Sequence, residues 1–350
     1  MAIGGFFVEH GARGRRAVLL ASATAWLGPS LAALQPVSGG TVRIALAAKD
    51  SLYHLPLTLA EQLGYFRQAG LFVEWASHES GAHALGSVLQ GRADVAAGAF
   101  AHLFSLQNKG LNYQAFVQMG RTPQISMGVS VRQGLRAQAI VKGTRLGITS
   151  LESSTHWMAC QWLLQNGLSM EDVVFIEVGS SAAAADALRQ GVLDALCQPD
   201  PLMHGLEQKN DIRVIAEART LLSTRKFMGG AVPGACLFSR ADFLQRRPDL
   251  AQALSDAVVR ALKWLQTAGP TDILKTVPVH HWWNDRAVYL GAFEKLRESY
   301  ALDGLIAADA VHNAWRVHHR MLGRFNPARV NLEQTYTNAF VLKSKKRFTA

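Results

Sequence analysis

The order of motifs in this chain occurs twice, about one hundred residues apart, and that repeat constrains the fold more than any other feature. Arg43-Ile44-Ala45-Leu46 has its counterpart in Arg145-Leu146-Gly147-Ile148, and Gly70-Leu71 in Gly167-Leu168. Ser80, opening a helix, corresponds to Ser180 or Ser181. Gln90-Gly91-Arg92-Ala93-Asp94 corresponds to Gln190-Gly191-Val192-Leu193-Asp194. Each glycine of this last pair supplies a left-handed helix stop, and each aspartate begins the next strand. The period is too long for a solenoid unit and fits two similar lobes.

Strands and helices alternate within each copy. Residues 42–47 are rich in β-formers. Leu55, Leu59, Leu63 and Phe66 then share one helical face, with Pro56 in the tolerant first turn. Strand character returns at 71–75, 94–97 and 113–118, with helices expected over 82–90 and 100–108. This alternation predicts an open α/β sheet with helices on both faces. A further strand is expected at 211–217 and another from Ala235, followed by helices over 248–268, 286–300 and 309–321. The chain is therefore expected to return to its first lobe near residue 235. The layout is lobe I over 41–131 and 235–350 and lobe II over 132–234, joined by two crossovers. Pro233-Gly234 and the polar stretch 132–142 are the hinge candidates.

The N-terminus reads differently. Arg13, Arg15 and Arg16 precede an apolar stretch from Ala17 to Leu27, and small residues at Ser30-Leu31-Ala32 follow. That order is a secretory signal peptide over 1–32. Gly14-Arg15-Arg16-Ala17-Val18-Leu19-Leu20 resembles a twin-arginine (Tat) signal, although Gly14 and Leu20 depart from its usual residues, so the general secretory route stays open. Export to the periplasm is the expectation. No later segment offers the roughly 18 apolar residues that span a bilayer.

The formal charge is +10, or about +8 once the first 32 residues are removed. The basic residues are scattered, and the one dense run, Lys343-Ser344-Lys345-Lys346-Arg347, reads as a solvated terminus. Nucleic-acid binding is therefore not expected, and a basic surface suits a receptor that collects anions. Cys160, Cys197 and Cys236 fit no zinc or redox spacing, which leaves one disulfide or buried free thiols open.

Several of these segments resemble the periplasmic solute-binding proteins of nitrate, sulfonate and taurine importers, related to hydroxymethylpyrimidine-binding proteins. The resemblance rests on Tyr53-His54-Leu55-Pro56-Leu57-Thr58-Leu59-Ala60 and on the run from Gly64 to Glu74. It continues in Leu89-Gln90-Gly91-Arg92-Ala93-Asp94-Val95 and in Ala187 to Ala195, and covers roughly residues 41–270. It implies a type II periplasmic binding protein fold, two open doubly wound sheets joined by a two-crossover hinge. It also implies a monomer that closes on a small-molecule ligand and delivers it to the permease of an ABC importer, with no cofactor and no metal. The ligand class is a small organic anion (sulfonate, carboxylate or nitrate-like) or a heteroaromatic compound.

Ligands of open α/β sheets sit beyond the carboxyl ends of the strands. The leading candidate is therefore the segment from Thr149 to His156, which follows a strand and opens a helix. Unpaired N–H groups and the positive dipole end at a helix start, with the hydroxyls of Thr149, Ser153, Ser154 and Thr155, suit an oxyanion. One of these serines is also needed as an N-cap. His156 could donate to an anion, stack on a ring or serve structure alone. Ser80-Gly81 and Gly98-Ala99-Phe100 open helices in the first lobe, where glycine permits close approach or plain turn geometry. Lys49 and Tyr53 follow the first strand, Lys49 to attract an anion or remain solvated and Tyr53 to wall an organic ligand. Asp200, before Pro201, either accepts from a ligand N–H or stabilises the hinge. His280-His281, Trp282-Trp283, His312 and His318-His319 form no zinc constellation and read as packing, as do the dispersed methionines.

An enzyme is the alternative. The resemblance extends to the thiamine-pyrimidine synthase, whose chemistry uses a pyridoxal-phosphate lysine. Here Gly98 falls at the lysine position, and only Gly234-Ala235-Cys236 stands where that enzyme has a cysteine-rich run, although His102 matches a histidine. A Schiff base needs the amine. No nucleophile elbow, phosphate loop or paired-carboxylate spacing is present. An exported ligand-sensing module is the third reading.

Overall fold

A computed structural model describes residues 40–132, 141–283, 285–321 and 326–348. The expected signal peptide lies outside these residues, as does most of the 132–142 hinge candidate. The ten strands are β1 (Gly40–Ala47), β2 (Leu71–His78), β3 (Val95–Ala99), β4 (Tyr113–Gln118), β5 (Ile125–Ser130), β6 (Thr144–Ile148), β7 (Val173–Glu177), β8 (Ala195–Pro199), β9 (Ile212–Ala218) and β10 (Ala235–Arg240). They form two five-stranded mixed sheets of equivalent order, β2-β1-β3-β10-β4 and β7-β6-β8-β5-β9, flanked by helices. This is the periplasmic binding protein fold.

The repeat is physical. Gly91 and Gly191 both adopt positive φ, 70° and 76°, the left-handed helix stops expected of them. Asp94 accepts from the backbone N–H of Arg43 at 2.9 Å, and Asp194 from that of Arg145 at 2.8 Å. Each aspartate thus ties the start of its strand, β3 or β8, to the neighbouring β1 or β6. The match is looser elsewhere. After Gly167 a short 3-10 turn, Met170–Asp172, intervenes before β7, whereas β2 begins directly at Leu71. Ser80 caps its helix, but Ser180 does not; its hydroxyl donates to the Glu79 carbonyl across the gap between the halves.

The crossover comes earlier than the expected boundary at 131. β5 is antiparallel to both β8 and β9 in the second sheet, so the chain has already changed lobes by residue 125. β10 makes the reciprocal insertion between β3 and β4. The crossovers run through 119–124 and 229–234 and touch backbone to backbone. The Gly234 N–H donates to the Gly120 carbonyl at 2.9 Å, and a Cβ at Gly234 would lie 1.8 Å from the Thr122 carbonyl oxygen. Only glycine fits there.

The basic tail is not a free terminus. It forms the helix Ala339–Arg347, where Lys345 pairs with Asp303 at 2.6 Å and Arg347 pairs with Asp256. The three cysteines are buried and unbridged.

Candidate functional site

Five strand ends of the two sheets meet around one cavity. Its walls include Ala47 ending β1 and Ala48 after it, Ala97–Ala99 in β3, Thr149 after β6, Ser180 after β7 and Pro199 ending β8. Two helix starts face it from opposite halves. One is Gly81, first residue of the helix Gly81–Leu89, and the other is Ser154-Thr155, opening Ser154–Gln165. The cavity measures about 50 Å³. Beyond Ala48, Thr149 and Ser180 it widens into a cleft of about 560 Å³ that also carries His78, Glu79, His83 and Glu177.

The second helix start explains its own geometry. Ser153 is the N-cap, accepting from the His156 N–H at 3.3 Å and donating to the Ser150 carbonyl at 2.6 Å. Thr155 Oγ1 accepts from the Thr149 N–H at 2.9 Å and lies 2.8 Å from both the Ser153 and Thr149 hydroxyls. These three hydroxyls are committed to one another and hold the turn. Ser154 is different. It occupies the first helical position, and neither its N–H nor its hydroxyl has a hydrogen-bond partner among the described residues. Unpaired N–H groups at a helix start are acceptor-seeking by construction. Gly81 repeats the arrangement: Ser80 caps its helix, and a Cβ on Gly81 would meet only His102 Nε2, at 3.4 Å.

Tyr53 adds an independent sign of a missing partner. Its ring lines the cavity and its buried hydroxyl has no hydrogen-bond partner, so burial pushes its pKa well above the ordinary tyrosine value. An unpaired buried hydroxyl is costly unless a ligand meets it. Two histidines complete the lining. Burial lowers both His54 and His102 to about 4, so both are neutral imidazoles at pH 7. Among the described residues no lysine or arginine lines this cavity.

A second, apolar compartment adjoins the first through Tyr53, Ala99 and Ser154. About 70 Å³ in size, it is walled by Trp157, Met158, Met228, Val232, Val317 and Met321 among others. Trp157 comes from the second-sheet half and stands edge-on between two rings of the other half, 4.7 Å from His102 and 4.6 Å from His318. The two halves are therefore closed on each other here. At the hinge side the closure is held by polar contacts. The Asp200 carbonyl accepts from the Ser51 hydroxyl at 3.1 Å and the Leu52 N–H at 3.3 Å. Within the second-sheet half, Arg219, wholly buried, reaches Asp200 at 3.6 Å and Glu207 at 2.9 Å and also pairs with Glu217. Lys295 meets Glu207 at 3.2 Å and Glu217 at 3.4 Å.

Of the expected site residues, Tyr53, Gly81, Gly98, Ala99, Thr149, Ser154 and Thr155 are brought together around the cavity. The others are not. Lys49 is drawn away by Glu61 and lies 4.1 Å over the Trp75 ring. Phe100 packs in the first half's core against Phe104. Ser80 and Ser153 are buried caps. His156 accepts from the Glu152 N–H at 3.2 Å and stands edge-on to Phe175, outside the lining. Asp200 lies outside the lining, and its carboxylate accepts from the His204 N–H at 2.8 Å at the start of the following helix. Sequence reasoning missed His54, which is embedded in a helix-opening run, and the whole apolar compartment. Ala314, Val317, His318 and Met321 recur at helical spacing, which reads as ordinary core.

Among the described residues no cluster of three or more His, Cys, Asp or Glu could hold a metal. No helix among them is long and apolar enough to cross a membrane.

The profile of the NMT1-like family matches residues 40–276. A protein of solved structure from Bordetella bronchiseptica RB50 is 39% identical, with TM-score 0.86 over 89% of this chain and 98% of that one. The alkanesulfonate-binding protein SsuA from Xanthomonas axonopodis pv. citri, bound to MOPS, is 18% identical, with TM-score 0.66 over 86% and 99%. The periplasmic nitrate-binding protein NrtA from Synechocystis PCC 6803 is 11% identical, with TM-score 0.70 over 88% and 89%. The desulfurization enzyme DSZB shares the fold too, at 17% identity and TM-score 0.57 over 88% and 99%. Likenesses this low in identity speak to fold alone. No curated protein matches the chain.

Proposed function

The chain belongs to the NMT1-like family, and on that footing we propose that it is the periplasmic solute-binding component of an ABC importer. It acts as a monomer, is exported through its N-terminal segment by the Tat route, and passes its solute to a permease in the inner membrane. The solute is a small organic anion or a heteroaromatic compound. The observation that carries this reading is the convergence of two helix starts, one from each half, on one cavity with an unpaired N–H at Ser154 and an unpaired buried hydroxyl at Tyr53. An oxyanion there gains backbone N–H groups and the positive ends of two helix dipoles. Neutral His54 and His102 can each donate and accept, which suits a heteroaromatic edge as well.

Catalysis has less support. Burial holds the Cys160 thiol up at about 12 and raises Cys197 and Cys236 as well, so no thiolate is at hand at neutral pH. Isothermal titration against a panel of carboxylates, sulfonates, nitrate and pyrimidines tests the reading. One compound should bind per chain with micromolar Kd or tighter, about −8 kcal/mol, and be recovered unchanged. Conversion of the bound compound, or a panel without any binder, counts against it.

A further inference from the structure

We infer that the solute carries an apolar ring attached to its anionic group, so that bare or methyl-sized anions are poor ligands. This rests on the binding reading above and specifies what fills the second compartment. Among the described residues no lysine or arginine lines the polar cavity, so an anion without a body would be held by helix starts, hydroxyls and neutral imidazoles. Such a site must draw affinity from elsewhere. The adjoining compartment supplies it, because Tyr53, Ala99 and Ser154 line both.

The walls of that side favour an aromatic over an aliphatic body. Met158, Met228 and Met321 place three thioethers around the space, with the Trp157 and Tyr53 rings and the His318 imidazole beside them. Thioether sulfur attracts ring edges, and methionine adapts its shape to the occupant. Aromatic rings pack edge-on or offset against such walls. At about 50 and 70 Å³ the two compartments together fall short of the roughly 150 Å³ that holds a benzene, so the methionine walls must yield to admit a ring. One molecule spanning both is therefore favoured over separate occupants, with at most a single ring.

Matched pairs of the same head group test this: benzoate against acetate, and benzenesulfonate against methanesulfonate, by isothermal titration. At least one ring compound should bind tenfold or more tighter than its methyl partner. Ala314→Leu, which fills the apolar side, should remove that advantage. Should Ala314→Leu fail to fold, Met228→Ala enlarges the same space and should shift preference from benzoate toward 2-naphthoate. Equal affinity within each pair would overturn the inference while leaving solute binding intact. Failure of all four to bind, alongside binding of nitrate or a pyrimidine from the wider panel, would overturn the inference alone. Failure of the entire panel would overturn both.

Discussion

Replacing Ser154 by proline removes one backbone N–H from the proposed anion site while leaving the helix intact. Ser154 is the first helical residue, where proline is favoured because that N–H has no intrahelical partner. The preceding residue, Ser153, already sits at φ −81°, ψ 167°, the extended region that a following proline requires. The substitution therefore costs the fold little. A hydrogen bond to a charged group is worth about 1.5–3 kcal/mol, which corresponds to a Kd weakened by roughly 10- to 150-fold. Ser154→Ala deletes the hydroxyl and keeps the N–H, so the difference between the two variants isolates the main-chain donor. Isothermal titration with the tightest-binding acid of the panel measures the affinities, and thermal unfolding checks that the midpoints agree. A Ser154→Pro protein that unfolds like its parent and binds within twofold of Ser154→Ala would refute the assignment of that N–H.

Gly234→Ala drives a methyl group into the Thr122 carbonyl where the crossovers touch, and should destabilise the protein by about 1–3 kcal/mol in urea unfolding. An unchanged midpoint would mean that the crossovers are not packed as described. Arg219→Met leaves Glu207 and Glu217 facing each other with only Lys295 between them, and should cost on the order of 3 kcal/mol in the same assay. Stability should also fall with acid. His54 and His102 stay neutral in the fold down to about pH 4, whereas the unfolded chain protonates them near 6.5. Their contribution is complete above pH 6.5 and declines as pH drops toward 4, by about 2 kcal/mol per histidine at pH 5. A flat urea midpoint between pH 7.5 and 5 would contradict their burial.

Local signals exposed much of this architecture. The paired runs ending in Asp94 and Asp194 announced two similar sheets, because a glycine helix stop followed by a strand is written in neighbouring residues. β5 escaped because its partners, β8 and β9, lie some seventy to ninety residues further on, and nothing within Ile125–Ser130 encodes that insertion. The site divides in the same way. Gly81, Thr149 and Ser154 follow strand ends, so topology alone places them. Lys49 and Phe100 also follow strand ends, yet their side chains turn to Glu61 and Phe104, a direction that packing decides. The apolar compartment gave no local signal. A helix from the far end of the chain, Ala308–Met321, brings Val317, His318 and Met321 against Trp157, and a buried helical stripe looks the same whether it faces core or ligand.

A crystal structure grown with the tightest-binding acid tests the central claim most directly. The account predicts an unaltered molecule enclosed between the sheets, its oxyanion within about 3.2 Å of the Ser154 nitrogen and its body against Trp157. An acid bound outside that cavity, or a chemically changed product within it, would contradict the account.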